Sequence, residues 1–192
     1  MLYEGIPPTT VDYSLLAQKI KRSQADAVIF GGYHPAAVKV LIEMRKKRME
    51  VVFVGGNGIK DDTFLATAGS YAEGVYATAP SDTSGFPMAV DAAQSHKHTY
   101  GESPGAFFFT AHAAALALVN AIEKAGSTDY DAVSRVLRTE HVETPIGKLR
   151  FDEHGNAVGI GFSVYQVKNG IFIELDYSIQ NLNQKITTRS VL

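Results

Sequence analysis

Two glycine pairs, Gly31-Gly32 and Gly55-Gly56, each close an apolar run. Each is followed by a polar side chain suited to hydrogen bonding, Tyr33 after the first and Asn57 after the second. Such residues can hold a small ligand without covalent chemistry; the spacing alone equally fits glycine pairs that only make tight turns. The other groups with chemical potential are dispersed. His96 and His98 stand two apart in a helical pattern and face away from each other. His34, His112, His141 and His154 have no paired spacing, so surface or capping roles are expected and no metal site. His112, in an apolar helix, reads as a satisfied polar group of the core. Asp61-Asp62 precedes a helical pattern, where an acid caps the helix start. Phe107-Phe108-Phe109 reads as core. The chain contains no GxxxxGK phosphate loop and no HExxH pair, and no enzyme is expected.

The bulk composition narrows the function classes further. With 192 residues, 45% hydrophobic and 20% charged, the chain is long enough to bury a core. A net charge of −2 and the absence of a long basic block argue against a nucleic-acid partner. There is no cysteine, which excludes thiol catalysis and disulfides. No stretch of 18 apolar residues is present to form a membrane-spanning helix. The opening residues MLYEGIPPTT do not read as a signal peptide. No cofactor motif is found.

The elements that position the two glycine pairs can be read from periodicity. Residues 12–24 have helical spacing, with Leu15, Leu16, Lys19, Ile20 and Ser23 on one side and Asp12 as the expected cap. Residues 27–30 and 51–54 read as buried strands. Between them, Pro35 suits the first turn of a helix whose stripe is Ala37, Val40, Leu41 and Met44. This is a βαβ unit with parallel strands. A short helix from Asp61 to Ala68 and a strand over 74–78 follow. PSDTSGFP, residues 80–87, is the clearest linker. Helices are expected over 87–100, with Met88, Ala92 and Ser95 on one side, and over 107–125, with Ala111, Ala114, Ala115, Leu118 and Ile122 as its stripe. A shorter one covers 130–138. Residues 147–151 and 161–167 are expected to pair as a hairpin across DEHGN. Asn169-Gly170 then turns the chain into a strand over 171–175. The polar tail from Tyr177 is expected to be loosely held.

The expected architecture is α/β, a parallel sheet flanked by helices with an antiparallel hairpin region at the end. Ligands of open parallel sheets bind beyond the carboxyl ends of the strands. Neighbouring strands lie about 4.8 Å apart, so Tyr33 and Asn57 can reach one small molecule. The glycines let the backbone turn and approach closely.

FGGYHPAA, GGNG, AGSYAEGVYAT, SPGAFFFTAHAAALAL, TPIGKLRFDEHGN and GFSVYQV, in this order and spacing, resemble the leucine/isoleucine/valine-binding family. These are type I periplasmic solute-binding proteins of branched-chain amino-acid ABC transporters. The resemblance runs from about Leu2 to Leu175. It implies a two-lobed, periplasmic-binding-protein-like (Venus-flytrap) fold. Residues 1–79 would belong to the second lobe, 85–140 to the first, and 145–192 would return to the second. It also implies that this chain is the C-terminal portion of such a protein. Tyr33 matches the tyrosine that contacts the bound amino acid, and Phe107 an aromatic residue that lines the cleft. Asn57 stands where the family has a glutamate that pairs with the ligand's ammonium.

The function so implied is capture of an amino acid or related small polar ligand, without chemistry, for delivery to a membrane permease. The location implied is periplasmic or extracellular. A sensory or regulatory module of the same fold, or a truncated product that binds nothing, are the alternatives the sequence leaves open. The apolar helix over 107–125 is expected to drive self-association of the chain.

Overall fold

The computed structural model describes residues 1–7 and 9–175; the tail from Tyr177 lies outside them. The chain clusters into two compact units. Among the described residues, one comprises Met1–Ala79 together with residues 163–175, the other Pro80–Phe162.

The first unit is built on a five-stranded sheet. In chain order its elements begin with α1 (Ser14–Ser23), β1 (Ala27–Phe30), α2 (His34–Lys46), β2 (Val52–Gly55), α3 (Asp62–Ala68) and β3 (Tyr76–Pro80). After the second unit the chain returns with β7 (Phe162–Lys168) and β8 (Ile171–Leu175). The strand order is β1-β2-β3-β7-β8. β1 runs parallel to β2, and β2 parallel to β3. β7 and β8 are antiparallel. Asn169 and Gly170 both adopt positive φ, 53° and 77°, as a two-residue turn between twisted strands requires. The Glu73 carboxylate accepts hydrogen bonds from both turn amides, at 3.2 and 3.4 Å.

Helix α2 buries the expected face, with Ala37, Val40, Leu41 and Met44 inside, and adds Val38. These pack with Phe53, Ile59 and Phe64 into one core. The Phe30 and Phe53 rings stack across β1 and β2 at 5.8 Å. Helix α1 differs from its sequence pattern. It buries Ala17 and Ile20 and leaves Leu15 67% exposed. Its N-cap is Tyr13, one residue after the expected Asp12. The Asp12 carboxylate still accepts the Ser14 amide at 2.8 Å and so satisfies one of the open donors at the helix start. That bond holds the Asp12 carboxyl below its usual range.

The second unit contains α4 (Pro87–Tyr100), α5 (Phe108–Ala125), α6 (Tyr130–Thr139) and a small antiparallel sheet. Its strands are β4 (Val142–Thr144), β5 (Gly147–Phe151) and β6 (Ala157–Val158), in the order β4-β5-β6. The expected pairing of 147–151 with 161–167 does not form. The turn at Asp152–Asn156 is present, but β5 pairs through it with the short β6. Gly159, at φ +96°, then breaks the pairing, and a side chain there would run into the Lys148 carbonyl. The strand that follows joins the other sheet.

The buried stripe of α5 also differs from the expected one. It is Ala113, Ala117 and Ala121, while Ala111, Ala114, Ala115 and Leu118 are exposed. The reason is steric. Small residues at every fourth position allow close approach of the elements packed against α5, which are α6 and β4. On α4 the buried residues are Ala89 and Ala92, and Met88 lies outward.

Candidate functional site

The two glycine loops lie side by side because the strands that feed them are in register, Phe30 opposite Gly55. Beyond β1, Gly31 and Gly32 lead to Tyr33, the N-cap of α2, with extended backbone at φ −107° and ψ 161°. Pro35 occupies the first turn of α2 as expected. The Tyr33 carbonyl accepts the amides of Ala36 and Ala37 at 3.2 and 3.1 Å, which fixes the helix start. Its side chain is 66% exposed. Beyond β2, Gly56 leads to Asn57, first residue of a 3₁₀ turn over Asn57–Ile59. The Asn57 carbonyl accepts the Lys60 amide at 3.2 Å. Its side chain is half-buried and has no hydrogen-bond partner among the described residues.

Gly58 joins the loops. A Cβ placed on it would stand 2.6 Å from the Gly32 carbonyl oxygen and 2.9 Å from Cδ1 of Tyr33. The loop after β2 is therefore packed directly under Gly32 and the Tyr33 ring. Gly55 is constrained in the same way, since a Cβ there would collide with the Ile59 side chain.

Charged groups surround this rim. Asp61 caps α3, accepting the Thr63 amide at 2.8 Å, as its position in the sequence predicts. Its Oδ1 lies 3.9 Å from Nδ1 of His34, a pairing that sequence spacing does not reveal. The Lys60 ammonium lies 4.3 Å from the ring centroid of Tyr165 on β7, a cation–π distance. Neither Lys60 nor Tyr165 stands out in the sequence, because their contact depends on the chain returning to the sheet after the second unit. Gly58 was legible only as one more residue of a glycine-rich turn.

Phe107 stands in the second unit as the N-cap of α5, with its side chain partly exposed. Its carbonyl accepts the Ala111 amide at 3.0 Å and the Thr110 hydroxyl at 2.9 Å.

Two further concavities occur. In the first unit a groove of about 700 Å³ lies along β1, an edge strand of its sheet, with residues 1–7 in its lining. In the second unit a hollow of about 440 Å³ lies between α4 and α5, beside His96, Thr99, Phe108 and His112. His112 is not the satisfied group the sequence suggested. Its Nδ1 is buried and has no hydrogen-bond partner among the described residues. The ring instead meets Phe108 edge-on at 5.7 Å. The His96 Nδ1 lies 3.1 Å from the Glu102 carbonyl. Among the described residues no group of three or more acidic or histidine side chains could hold a metal ion.

The sheet that carries the paired glycine loops at the ends of its parallel strands is interrupted in sequence by the second compact unit. The sequence profile of the periplasmic binding proteins matches residues 2–170, and this chain belongs to that family. The leucine-, isoleucine-, valine-, threonine- and alanine-binding protein of Pseudomonas aeruginosa is 32% identical over 165 residues, 86% of this chain and 44% of that protein. A leucine-binding protein from Thermotoga maritima superposes with a TM-score of 0.75 at 24% identity, covering 88% of this chain and 49% of that one. A solute-binding protein of an ABC transporter from R. palustris, in complex with benzoate, superposes with a TM-score of 0.72 at 18% identity, covering 88% and 48%. The chain thus spans about half the length of the relatives it matches.

Proposed function

We propose that this chain supplies part of the ligand cleft of a periplasmic solute-binding protein that serves an ABC transporter. It binds an amino acid or a related small polar molecule, performs no chemistry on it, and hands it to a membrane permease. Tyr33 and Asn57 contribute polar contacts, and Phe107 an apolar wall. Residues 1–79 and 85–140 belong to different lobes of the cleft. The observation that carries this reading is the junction of the two strand-end loops at Gly58, which sets Tyr33 and Asn57 on one rim. Fold relatives named for leucine binding and for a benzoate complex agree with a rim that accepts small carboxylic acids.

The chain on its own also self-associates through α5. Leu118 and Val119, 49% and 53% exposed, form the start of an apolar surface that a second copy would cover.

Calorimetric titration of the chain with a panel of amino acids and small carboxylic acids tests the binding role. A saturable response, recovery of the ligand unchanged, and loss of the response in Tyr33→Ala and Asn57→Ala are expected. Equal affinity in both variants and the parent would remove these residues from the site.

A further inference from the structure

We infer that the ligand group presented to Asn57 is uncharged, a hydroxyl or carbonyl, and is not an ammonium; this rests on the binding role proposed above. The argument is one of charge at the rim. The loops over 31–35 and 55–61 carry one carboxylate, Asp61. That carboxylate is committed to the Thr63 amide at 2.8 Å and faces His34 at 3.9 Å, with its side chain only 14% exposed. The remaining ionisable groups of these loops are His34 and Lys60, which are neutral or positive, and the Tyr33 phenol. Helix α2 also begins at this edge and adds the positive end of its dipole.

Asn57 is the polar side chain left open here. It is half-buried and has no partner among the described residues, and its amide offers two donors and an acceptor without net charge. An ammonium desolvated against it would gain one neutral hydrogen bond and no compensating charge from Asn57. A hydroxyl or carbonyl at the same place exchanges one neutral hydrogen bond for another. The class of ligand that fits is therefore a hydroxy or oxo acid.

The test uses a matched pair, leucine and 2-hydroxy-4-methylpentanoate, which differ at one substituent. Amide resonances of the nitrogen-15-labelled chain at Tyr33, Asn57 and Gly58 are followed during titration at neutral pH. The hydroxy acid should perturb them with an apparent affinity about tenfold or more above that of leucine. Asn57→Asp, which is isosteric, should reverse the order. Leucine equal to or tighter than the hydroxy acid, or an unchanged order in Asn57→Asp, overturns the inference while leaving the binding role intact. If neither these nor the other acids of the panel move the three resonances, the rim is not a ligand site and the binding role fails as well.

Discussion

Gly58 leaves no room for a side chain beneath Gly32: a methyl group on it would stand 2.6 Å from the Gly32 carbonyl oxygen. The obstacle is backbone, which cannot rotate away as a side-chain tip can. Gly58→Ala should therefore separate the two loops and cost about 1–3 kcal/mol, the range of a small-to-large change in a packed site. Urea unfolding of the variant checks the cost. The Tyr33 ring, 2.9 Å from the same added atom, should shift its aromatic resonances. An unaltered midpoint would mean the loops part freely.

Leu15 and Ile20 are both large and aliphatic and both sit on α1, yet only Ile20 is buried. Ile20→Ala should destabilise the chain by about 2–5 kcal/mol through lost burial and the cavity left behind. Leu15→Ala should stay within about 0.5 kcal/mol, as exposed positions do. Parallel denaturant curves distinguish the two. Similar losses would place Leu15 in the core.

The turn between β5 and β6 depends on one carboxylate. Asp152 accepts the His154 amide at 2.9 Å, the Asn156 amide at 2.8 Å and the Asn156 side-chain amide at 3.0 Å. The side-chain bond from Asn156, then its backbone bond, hold the Asp152 carboxyl below its ordinary value of 3.8. The folded turn prefers the charged form more strongly than the unfolded chain does. Its stabilising contribution is therefore complete above that ordinary value and fades as pH falls through the lowered folded one. Exchange protection of the Asn156 amide should hold at neutral pH and fall in acid below the usual carboxylate range. Asp152→Ala should show the weakened protection at every pH.

The open face of α5 gives a prediction for assembly. Leu118→Lys combined with Val119→Lys should lower the mass seen by sedimentation if a second copy covers that face. The parent chain remaining monomeric at high concentration would exclude self-association through it.

The rim was legible because glycine pairs after β-branched runs are a local signal, and the parallel pairing of their strands follows from the helix between them. The helical faces were legible only in part. On α2 apolar and polar residues segregate, so the stripe could be read. On α5 nearly every position is apolar or alanine, so periodicity alone could not decide which face packs. The geometry chose Ala113, Ala117 and Ala121 because backbone approach there outweighs side-chain size. The partner of β5 was misread for a related reason. Alternation gives a strand its faces but not its neighbour, and Gly159 ends the pairing before the next long strand begins. The His34–Asp61 and Lys60–Tyr165 contacts depend on tertiary placement and leave no trace in local spacing.

The interruption of the first unit has a consequence for biogenesis. β7 sits beside β3 in the sheet, yet the whole of Pro80–Phe162 is translated between them. On the ribosome, the contiguous second unit has all its residues available before the first does. Domains ordinarily fold as units, N-terminal first, during synthesis. Here the order inverts: β1, β2 and β3 wait with the β3 edge unpaired until β7 arrives.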